Sequence, residues 1–266
     1  MSPEERTKTV VIRFEHVSKR YGRTVALENF SLDVEKGETV VLLGLSGSGK
    51  TTALKLVMGM VTPSEGRVEV RGKDTGDWSV ITLRRSIGYV IQEIGLFPHW
   101  TVAQNVGLLP RAAGWESGRI DARVRELLQQ VQLPYESYGR RYPAELSGGE
   151  VQRVGVARAL ALHPDILLMD EPFGALDPIT RSRAQGHFLK MRGDGGLTTL
   201  FVTHDVPEAF RIGTRIVVMR KGKIVETGPP HQLLKESSSA YTRELLKLTV
   251  PEALWENSHV GRETDR

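Results

Sequence analysis

The stretch Gly44-Leu45-Ser46-Gly47-Ser48-Gly49-Lys50-Thr51 decides the fold, because it predicts a glycine-rich loop between a strand and a helix. Residues 39–43 before it form an apolar, β-branched run that is typical of a buried strand. The glycines can adopt the positive φ that turns successive backbone N–H groups inward, and the helix that starts at Lys50 directs its positive N-terminal end to the same place. The stretch therefore predicts a cradle for phosphate groups.

Two side chains give this cradle its chemistry. Lys50 supplies a positive charge for the β- and γ-phosphates of a nucleotide, and the hydroxyl of Thr51 is placed to ligate Mg²⁺. The other positions that we expect to line a bound nucleotide are Gly44, Ser46, Gly47, Ser48, Gly49 and Thr52. The alternative is a glycine- and serine-rich turn that fits the pattern by chance, and the strand before it and the helix after it argue against that reading.

An acidic pair follows a second apolar run. Residues 166–169 predict a buried strand that ends in Asp170-Glu171, at the carboxyl end where ligands of α/β sheets bind. We expect Asp170 to hold Mg²⁺, usually through water, and Glu171 to act as base on an attacking water or to hold that water in line. The alternative is a strand-end turn with two solvated acids, and the phosphate cradle upstream argues against it.

Two further polar residues also follow predicted strands. Gln92 comes after the run at residues 87–91, and His204 comes after the run at residues 199–202. Because the carboxyl ends of parallel strands share one edge of a sheet, Gln92, Asp170 and His204 are expected to lie along that edge.

Three motifs downstream of the cradle carry a family resemblance. They are Leu146-Ser147-Gly148-Gly149-Glu150, Ala175-Leu176-Asp177 and Val202-Thr203-His204-Asp205. With them, the chain from about Val10 to about Pro229 resembles the ATP-binding subunit of an ABC transporter. The resemblance implies an α/β fold with a P-loop NTPase (RecA-like) core, an antiparallel β subdomain and an inserted α-helical subdomain, and it implies ATP and Mg²⁺ as cofactors.

The resemblance implies roles within the chain's own nucleotide site. Tyr21 matches the aromatic residue that stacks on adenine, whereas a lone tyrosine before a glycine is more often a packing residue. Gln92 matches the glutamine that reaches Mg²⁺ and the attacking water, and His204 matches the switch histidine at the γ-phosphate. The implied catalytic residues are Glu171, His204, Gln92 and Lys50, and the implied metal ligands are Thr51, Gln92 and Asp170.

The signature loop, residues 146–150, implies a second copy of the chain. Ser147, Gly148 and Gly149 match the family segment that completes the ATP site of another subunit, and Asp177 matches a loop across the dimer interface. We therefore expect a head-to-tail homodimer that sandwiches ATP. Glu150 stands where glutamine is commonest; its charge repels ATP mildly while the helix dipole favours it, so its net effect on the dimer is left open.

The stretches 89–99 and 170–181 look most like ATPase subunits of bacterial osmoprotectant importers, which take up glycine betaine, choline, carnitine or related quaternary amines. This resemblance implies transmembrane permease subunits, an extracytoplasmic solute-binding protein reached through the permease, and a peripheral position on the cytoplasmic face of the inner (plasma) membrane. Three alternatives stay open: an importer for another solute, a soluble ABC ATPase outside transport, and a nucleotide-gated scaffold that does not hydrolyse ATP.

Composition limits the partners. The 266 residues carry a net charge of +4, which is too small to predict a nucleic-acid partner, and they contain no cysteine and hence no disulfide. No apolar run approaches the ~20 residues of a membrane-spanning helix, and the N-terminus has no apolar signal core. Membrane association is therefore expected to come through a partner.

Changes of pattern along the chain predict its organisation. Residues 1–230 are expected to form the ATPase domain, with the core and β subdomain in 1–92 and 162–230 and the helical subdomain in 93–161. Residues 231–266 are expected to form a short helical C-terminal extension with a flexible tail.

Overall fold

The computed structural model describes residues 9–92, 94–193 and 196–247, and the chain divides into two compact units. The first unit takes the chain up to Trp78 and again from Val202 onward, and the second unit is Ser79–Phe201. The functional subdivision predicted from the sequence, with its helical subdomain at 93–161, stays a prediction, and the flexible tail lies outside the described residues.

The strands are β1 (Val10–Tyr21), β2 (Thr24–Glu35), β3 (Thr39–Leu43), β4 (Glu65–Val70), β5 (Lys73–Asp74), β6 (Ile87–Val90), β7 (Ile166–Asp170), β8 (Thr198–Thr203), β9 (Arg215–Arg220) and β10 (Lys223–Gly228). The α-helices are α1 (Lys50–Val57), α2 (Val80–Arg85), α3 (Val102–Val106), α4 (Leu108–Ala112), α5 (Ser117–Gln130), α6 (Tyr135–Tyr138), α7 (Gly148–Ala159), α8 (Pro178–Arg192), α9 (Val206–Ile212), α10 (Pro230–Glu236) and α11 (Ala240–Lys247). Among the described residues, no helix has both the length and the apolar character needed to cross a membrane.

The first unit contains an antiparallel sheet with the order β2-β1-β4-β5. Its inner face is apolar, and the rings of Phe14 and Phe30 pack edge to face with their centroids 5.1 Å apart. Apolar and polar residues alternate along these strands because only one face of the sheet packs inward.

The strand before the phosphate cradle lies in the same unit. Every residue of β3 is buried, and β3 runs parallel to β9, with Leu43 opposite Val218. Strands β9 and β10 pair antiparallel and form a hairpin. The cradle therefore leaves the end of a strand that a neighbouring strand and its hairpin support.

The second unit holds the strands that deliver the acidic pair and Gln92. Strands β6 and β7 run parallel, with Val90 opposite Met169, and β8 lies beside β7 before it continues into the first unit. The helices α2 to α8 belong to this unit, and the apolar stripe of α5 is buried, including Val124, Leu127 and Leu128.

Candidate nucleotide-binding site

The cradle needs glycine at two positions because of its backbone. Gly49 has φ +102°, and a Cβ there would lie 2.4 Å from the carbonyl oxygen of Ala26. A Cβ on Gly44 would lie 2.4 Å from the carbonyl oxygen of Met219. Any larger residue at either position would push the loop away from the strands that support it.

Lys50 lies across the cradle, as its role requires. Its side chain is only 4% exposed, and its ammonium group donates hydrogen bonds to the carbonyl oxygens of Gly44 at 2.7 Å and Leu45 at 3.0 Å. These carbonyl dipoles hold a buried positive charge where the loop turns, so the charge that a phosphate would meet is preformed.

Ser48 supplies a polar group that fits a ligand. Its residue is 4% exposed, and its hydroxyl has no hydrogen-bond partner within the described part of the chain. The loop itself is anchored, since the N–H of Gly222 donates to the carbonyl oxygen of Ser48 at 3.0 Å. A buried hydroxyl without a partner is costly, and an oxygen of a bound phosphate would satisfy it.

The acidic pair sits at the end of β7, as predicted. Asp170 is 4% exposed, and the hydroxyl of the half-buried Tyr89 donates a hydrogen bond to its carboxylate. Burial and the nearby charge of Asp170 raise the pKa of Tyr89 well above its ordinary value, so Tyr89 stays a neutral donor. Sequence reasoning missed Tyr89, because only the pairing of β6 with β7 brings it to Asp170.

Glu171 has an unusual backbone conformation for its residue type. Its φ is +44°, in the left-handed region that non-glycine residues seldom adopt, and the N–H of Gly174 donates to its carbonyl oxygen at 3.2 Å. Strain of this kind costs on the order of 1–3 kcal/mol and is concentrated at functional sites. The conformation is consistent with a catalytic position for Glu171.

Gln92 leaves the same edge of the sheet as the acidic pair. It lies two residues beyond Val90, which is opposite Met169 in the parallel pairing of β6 and β7. His204 follows β8 and belongs to the first unit, where it is exposed in a turn closed by the N–H of Asp205 donating to the hydroxyl of Thr203 at 3.0 Å. The alignment of His204 with Gln92 and Asp170 stays a prediction.

The segment after Gln92 is held by a residue that sequence reasoning did not single out. Arg158 on α7 donates hydrogen bonds to the carbonyl oxygens of Ile94 and Gly95. Gly155, one turn earlier, allows close contact, because a Cβ there would lie 2.5 Å from the Cγ2 atom of Ile94. An arginine between apolar residues of a helix was the only signal in the sequence.

The signature loop starts α7. Ser147 is the N-cap residue, and the carboxylate of Glu150 accepts hydrogen bonds from its N–H at 2.7 Å and from its hydroxyl at 2.8 Å. Gly148 is exposed, whereas Gly149 is buried so close to α8 that a Cβ would lie 2.5 Å from the Cγ2 atom of Thr180.

Asp177 caps the neighbouring helix α8. Its carboxylate accepts hydrogen bonds from the N–H groups of Ile179 and Thr180, each at 3.1 Å. These bonds, with the hydroxyl of Thr180 as the largest contributor, hold the pKa of Asp177 below its ordinary value. A Cβ on Gly148 would lie 3.4 Å from the Cδ2 atom of Leu176, so the signature loop lies beside the residue that precedes Asp177.

Tyr21 ends β1 and is 46% exposed. The ammonium group of Lys19 lies 5.0 Å from the centre of its ring. The ring is therefore an accessible aromatic surface rather than a residue of the apolar core.

Within the described ranges, no group of three or more His, Cys, Asp or Glu side chains is arranged to hold a metal ion. A magnesium ion, however, commonly takes one or two protein oxygens and completes its shell with phosphates and water. The hydroxyl of Thr51 and the carboxylate of Asp170 have the oxygen chemistry that such an ion requires.

Comparison with known proteins gives related sequences and structures. A family model described as "ABC transporter" matches residues 27–174. The osmoprotectant import ATP-binding protein OsmV of Salmonella typhimurium is 44% identical over 87% of this chain, and the glycine betaine/carnitine/choline transport ATP-binding protein OpuCA of Bacillus subtilis is 45% identical over 89%. The chain spans 62% of the length of each of these two relatives.

Solved structures of a dimeric cassette, MJ0796, share the fold. The first matches with a TM-score of 0.74 and 34% identity over 82% of this chain and 98% of that one. The second, described as a post-hydrolysis state bound to ADP and Pi, matches with a TM-score of 0.73 and 32% identity over the same shares. The fold class expected from the sequence is confirmed by this likeness.

Proposed function

This chain belongs to the ABC transporter family, and we propose that it is the ATP-hydrolysing subunit of an importer for an osmoprotectant such as glycine betaine, choline or carnitine. The names of the relatives OsmV and OpuCA support the solute class. The observation that carries the ATPase part is the buried ammonium of Lys50, held across a loop in which Gly44 and Gly49 admit no side chain.

Nucleotide binding is assigned to the cradle and to Tyr21. The ammonium of Lys50 would attract the β- and γ-phosphates, and the unpaired hydroxyl of Ser48 would donate to a phosphate oxygen. The exposed ring of Tyr21 would stack on adenine, which adds an orientation-dependent contact to the electrostatic ones.

Hydrolysis is assigned to the acidic pair with Gln92 and His204. Glu171 would take a proton from the attacking water or hold that water in line, and Gln92 and His204 would orient the water and the γ-phosphate. Mg²⁺, when bound through Thr51, Gln92 and Asp170, would neutralise charge on the phosphates. Tyr89 would keep the carboxylate of Asp170 in its orientation.

The working state is a head-to-tail homodimer. Ser147, Gly148 and Gly149 of one copy would close on the ATP held by the other, and Asp177 would lie near the interface. The dimeric cassette among the similar structures supports this assembly. Closure and opening of the dimer would switch the permease between its two access states.

The proposed partners are permease subunits in the inner (plasma) membrane and, through them, an extracytoplasmic solute-binding protein. The chain would be attached to the cytoplasmic face through the permease. The solute pocket would then lie in those other subunits, so the solute is assigned from the relatives and not from a pocket of this chain.

Reconstitution tests the transport part of the proposal. The tagged chain is captured from gently solubilised membranes of its host, its co-purifying proteins are identified by mass spectrometry, and the assembly is placed in liposomes with labelled glycine betaine, choline or carnitine. We expect a multi-span permease and uptake that requires internal ATP and is lost in Lys50→Ala. Hydrolysis of ATP without uptake of any of these amines would overturn the solute class, and capture of only cytosolic or ribosomal proteins would overturn the transport function.

A further inference from the structure

The hydroxyl of the signature serine is already engaged. A serine hydroxyl has a single O–H donor, and that of Ser147 donates to the Oε2 atom of Glu150 at 2.8 Å. The backbone N–H of Ser147 donates to the same oxygen at 2.7 Å. A phosphate that seeks a hydrogen bond from Ser147 must therefore compete with a carboxylate for its one proton.

The carboxylate that holds Ser147 is itself fixed from the other side. The hydroxyl of Tyr138 on α6 donates to the Oε1 atom of Glu150 at 2.8 Å. Burial raises the pKa of Glu150, but the hydrogen bonds from Ser147 and Tyr138 outweigh it and hold the pKa below its ordinary value. Glu150 is therefore ionised at neutral pH, and its bonds are charge-assisted.

We propose that Glu150 is a positioning residue that restrains the signature serine: its carboxylate, held by Tyr138, retains the proton of Ser147 until ATP on a second copy of the chain displaces it. This inference rests on the proposed ATP-sandwich homodimer and deepens it. The restraint weakens closure around ATP, because each closing event breaks a charge-assisted hydrogen bond at Ser147. The charge of Glu150 repels ATP and is favoured by the helix dipole, which left its net effect on the dimer open. With the restraint, the net effect is a weaker dimer.

Glutamine at this position would act differently for a chemical reason. An amide carries no charge, so a hydrogen bond that its carbonyl oxygen accepts from the hydroxyl of Ser147 is weaker than the bond to a carboxylate, and its NH2 group cannot accept from Tyr138. It can still accept the backbone N–H of Ser147, as glutamine does in capping boxes, so α7 keeps its cap. Glu150→Gln therefore weakens the restraint on the hydroxyl and leaves the helix start intact.

The test measures the dissociation constant of the ATP-dependent dimer by sedimentation velocity. All variants carry Glu171→Gln so that ATP persists. Glu150→Gln is expected to tighten the dimer by about tenfold, since a neutral amide holds the serine proton less strongly than a carboxylate does at each of the two signature loops. Its melting temperature should match that of the reference, because the cap is retained.

Two controls separate the restraint from simple charge removal. Glu145→Gln removes the same charge one residue before the signature loop, but the carboxylate of Glu145 accepts from the N–H of Tyr142 at 2.7 Å and not from Ser147, so the dimer should change less than about twofold. In a Ser147→Ala background, Glu150→Gln should also lose most of its effect, because no serine proton remains to be released.

The outcomes are distinct. An unchanged dimer in Glu150→Gln, an equal gain in Glu145→Gln, or a full gain in the Ser147→Ala background would overturn the restraint while the ATP-driven dimer stands. If the reference with Glu171→Gln alone does not dimerise with ATP, the dimer of the proposed function fails, and the restraint fails with it.

Discussion

Arg158 of α7 donates a hydrogen bond to the carbonyl oxygen of Gly95 at 3.0 Å, and so fastens the segment after Gln92 to the helix that starts at the signature loop. The same guanidinium also bonds the carbonyl oxygen of Ile94. Burial lowers the pKa of Arg158, and the two carbonyl oxygens give its charge hydrogen-bond partners. Arg158 lies outside every predicted motif, yet it connects the segment after Gln92 to the helix that starts at the signature loop.

Arg158→Leu should destabilise the protein. The change leaves two carbonyl groups without their charged donor, and we expect the free energy of unfolding in urea to fall by about 1–3 kcal/mol. Arg13→Leu is the matched control, because Arg13 makes an exposed ion pair with Asp33 that should contribute little to stability. Equal losses in the two variants would contradict the importance of the Arg158 contacts.

Gly49→Ala should abolish the cradle. The new Cβ would lie 2.4 Å from the carbonyl oxygen of Ala26, so the loop must shift, and we expect ATP affinity measured by calorimetry to fall more than about tenfold. Gly72→Ala is the control: Gly72 also has a positive φ, +73°, but its Cβ would meet nothing within 4 Å. Undiminished affinity in Gly49→Ala would show that the cradle does not bind the phosphates.

Tyr89→Phe should impair turnover while it preserves packing. Only the hydroxyl that holds Asp170 is lost, and we expect kcat for ATP hydrolysis to fall about threefold to tenfold, as for one hydrogen bond of roughly 1 kcal/mol. Tyr135→Phe removes a hydroxyl from α6, far along the chain from the acidic pair, and should leave kcat unchanged. Equal kcat values for Tyr89→Phe and the wild type would remove Tyr89 from the site.

Asp177→Ala should reduce stability in a pH-dependent way. The hydrogen bonds to Asp177 lower its pKa in the folded protein below the ordinary value of 3.8. A lowered folded pKa means that the stabilisation is fully present above about pH 4 and is lost as the pH falls through the folded pKa. The stability gap between wild type and Asp177→Ala in urea should therefore narrow below pH 3.8, and a gap that stays constant would contradict the charged cap.

Much of the fold could be predicted because its signals are local. The cradle, the buried strand before it and the acidic pair at the end of β7 each follow from a few neighbouring residues. Other features depend on pairing. Only residues 10–14 are rich in apolar side chains, but β1 continues to Tyr21 because β2 pairs along its whole length. The run at 87–91 ends as a strand at Val90, where the pairing with β7 ends.

The candidate site likewise contains residues that local sequence predicts and residues that only tertiary contacts bring in. The motif residues were found by their spacing, whereas Tyr89 at Asp170, Arg158 at Gly95 and Thr180 against Gly149 join positions far apart in the sequence. Such contacts depend on strand register and helix packing, which a single sequence does not determine. The hydrogen bonds between Glu150 and Ser147 could have been predicted from the sequence, because a capping box joins residues only three positions apart.

Phosphate release by the purified chain and by Glu171→Gln, measured together with ATP affinity, tests the central claim most directly. The account predicts that the wild type hydrolyses ATP, that Glu171→Gln loses more than about a hundredfold in kcat because the group that activates water is gone, and that ATP affinity stays within about twofold. Hydrolysis at the wild-type rate by Glu171→Gln, or ATP binding without any phosphate release by the wild type, would contradict it.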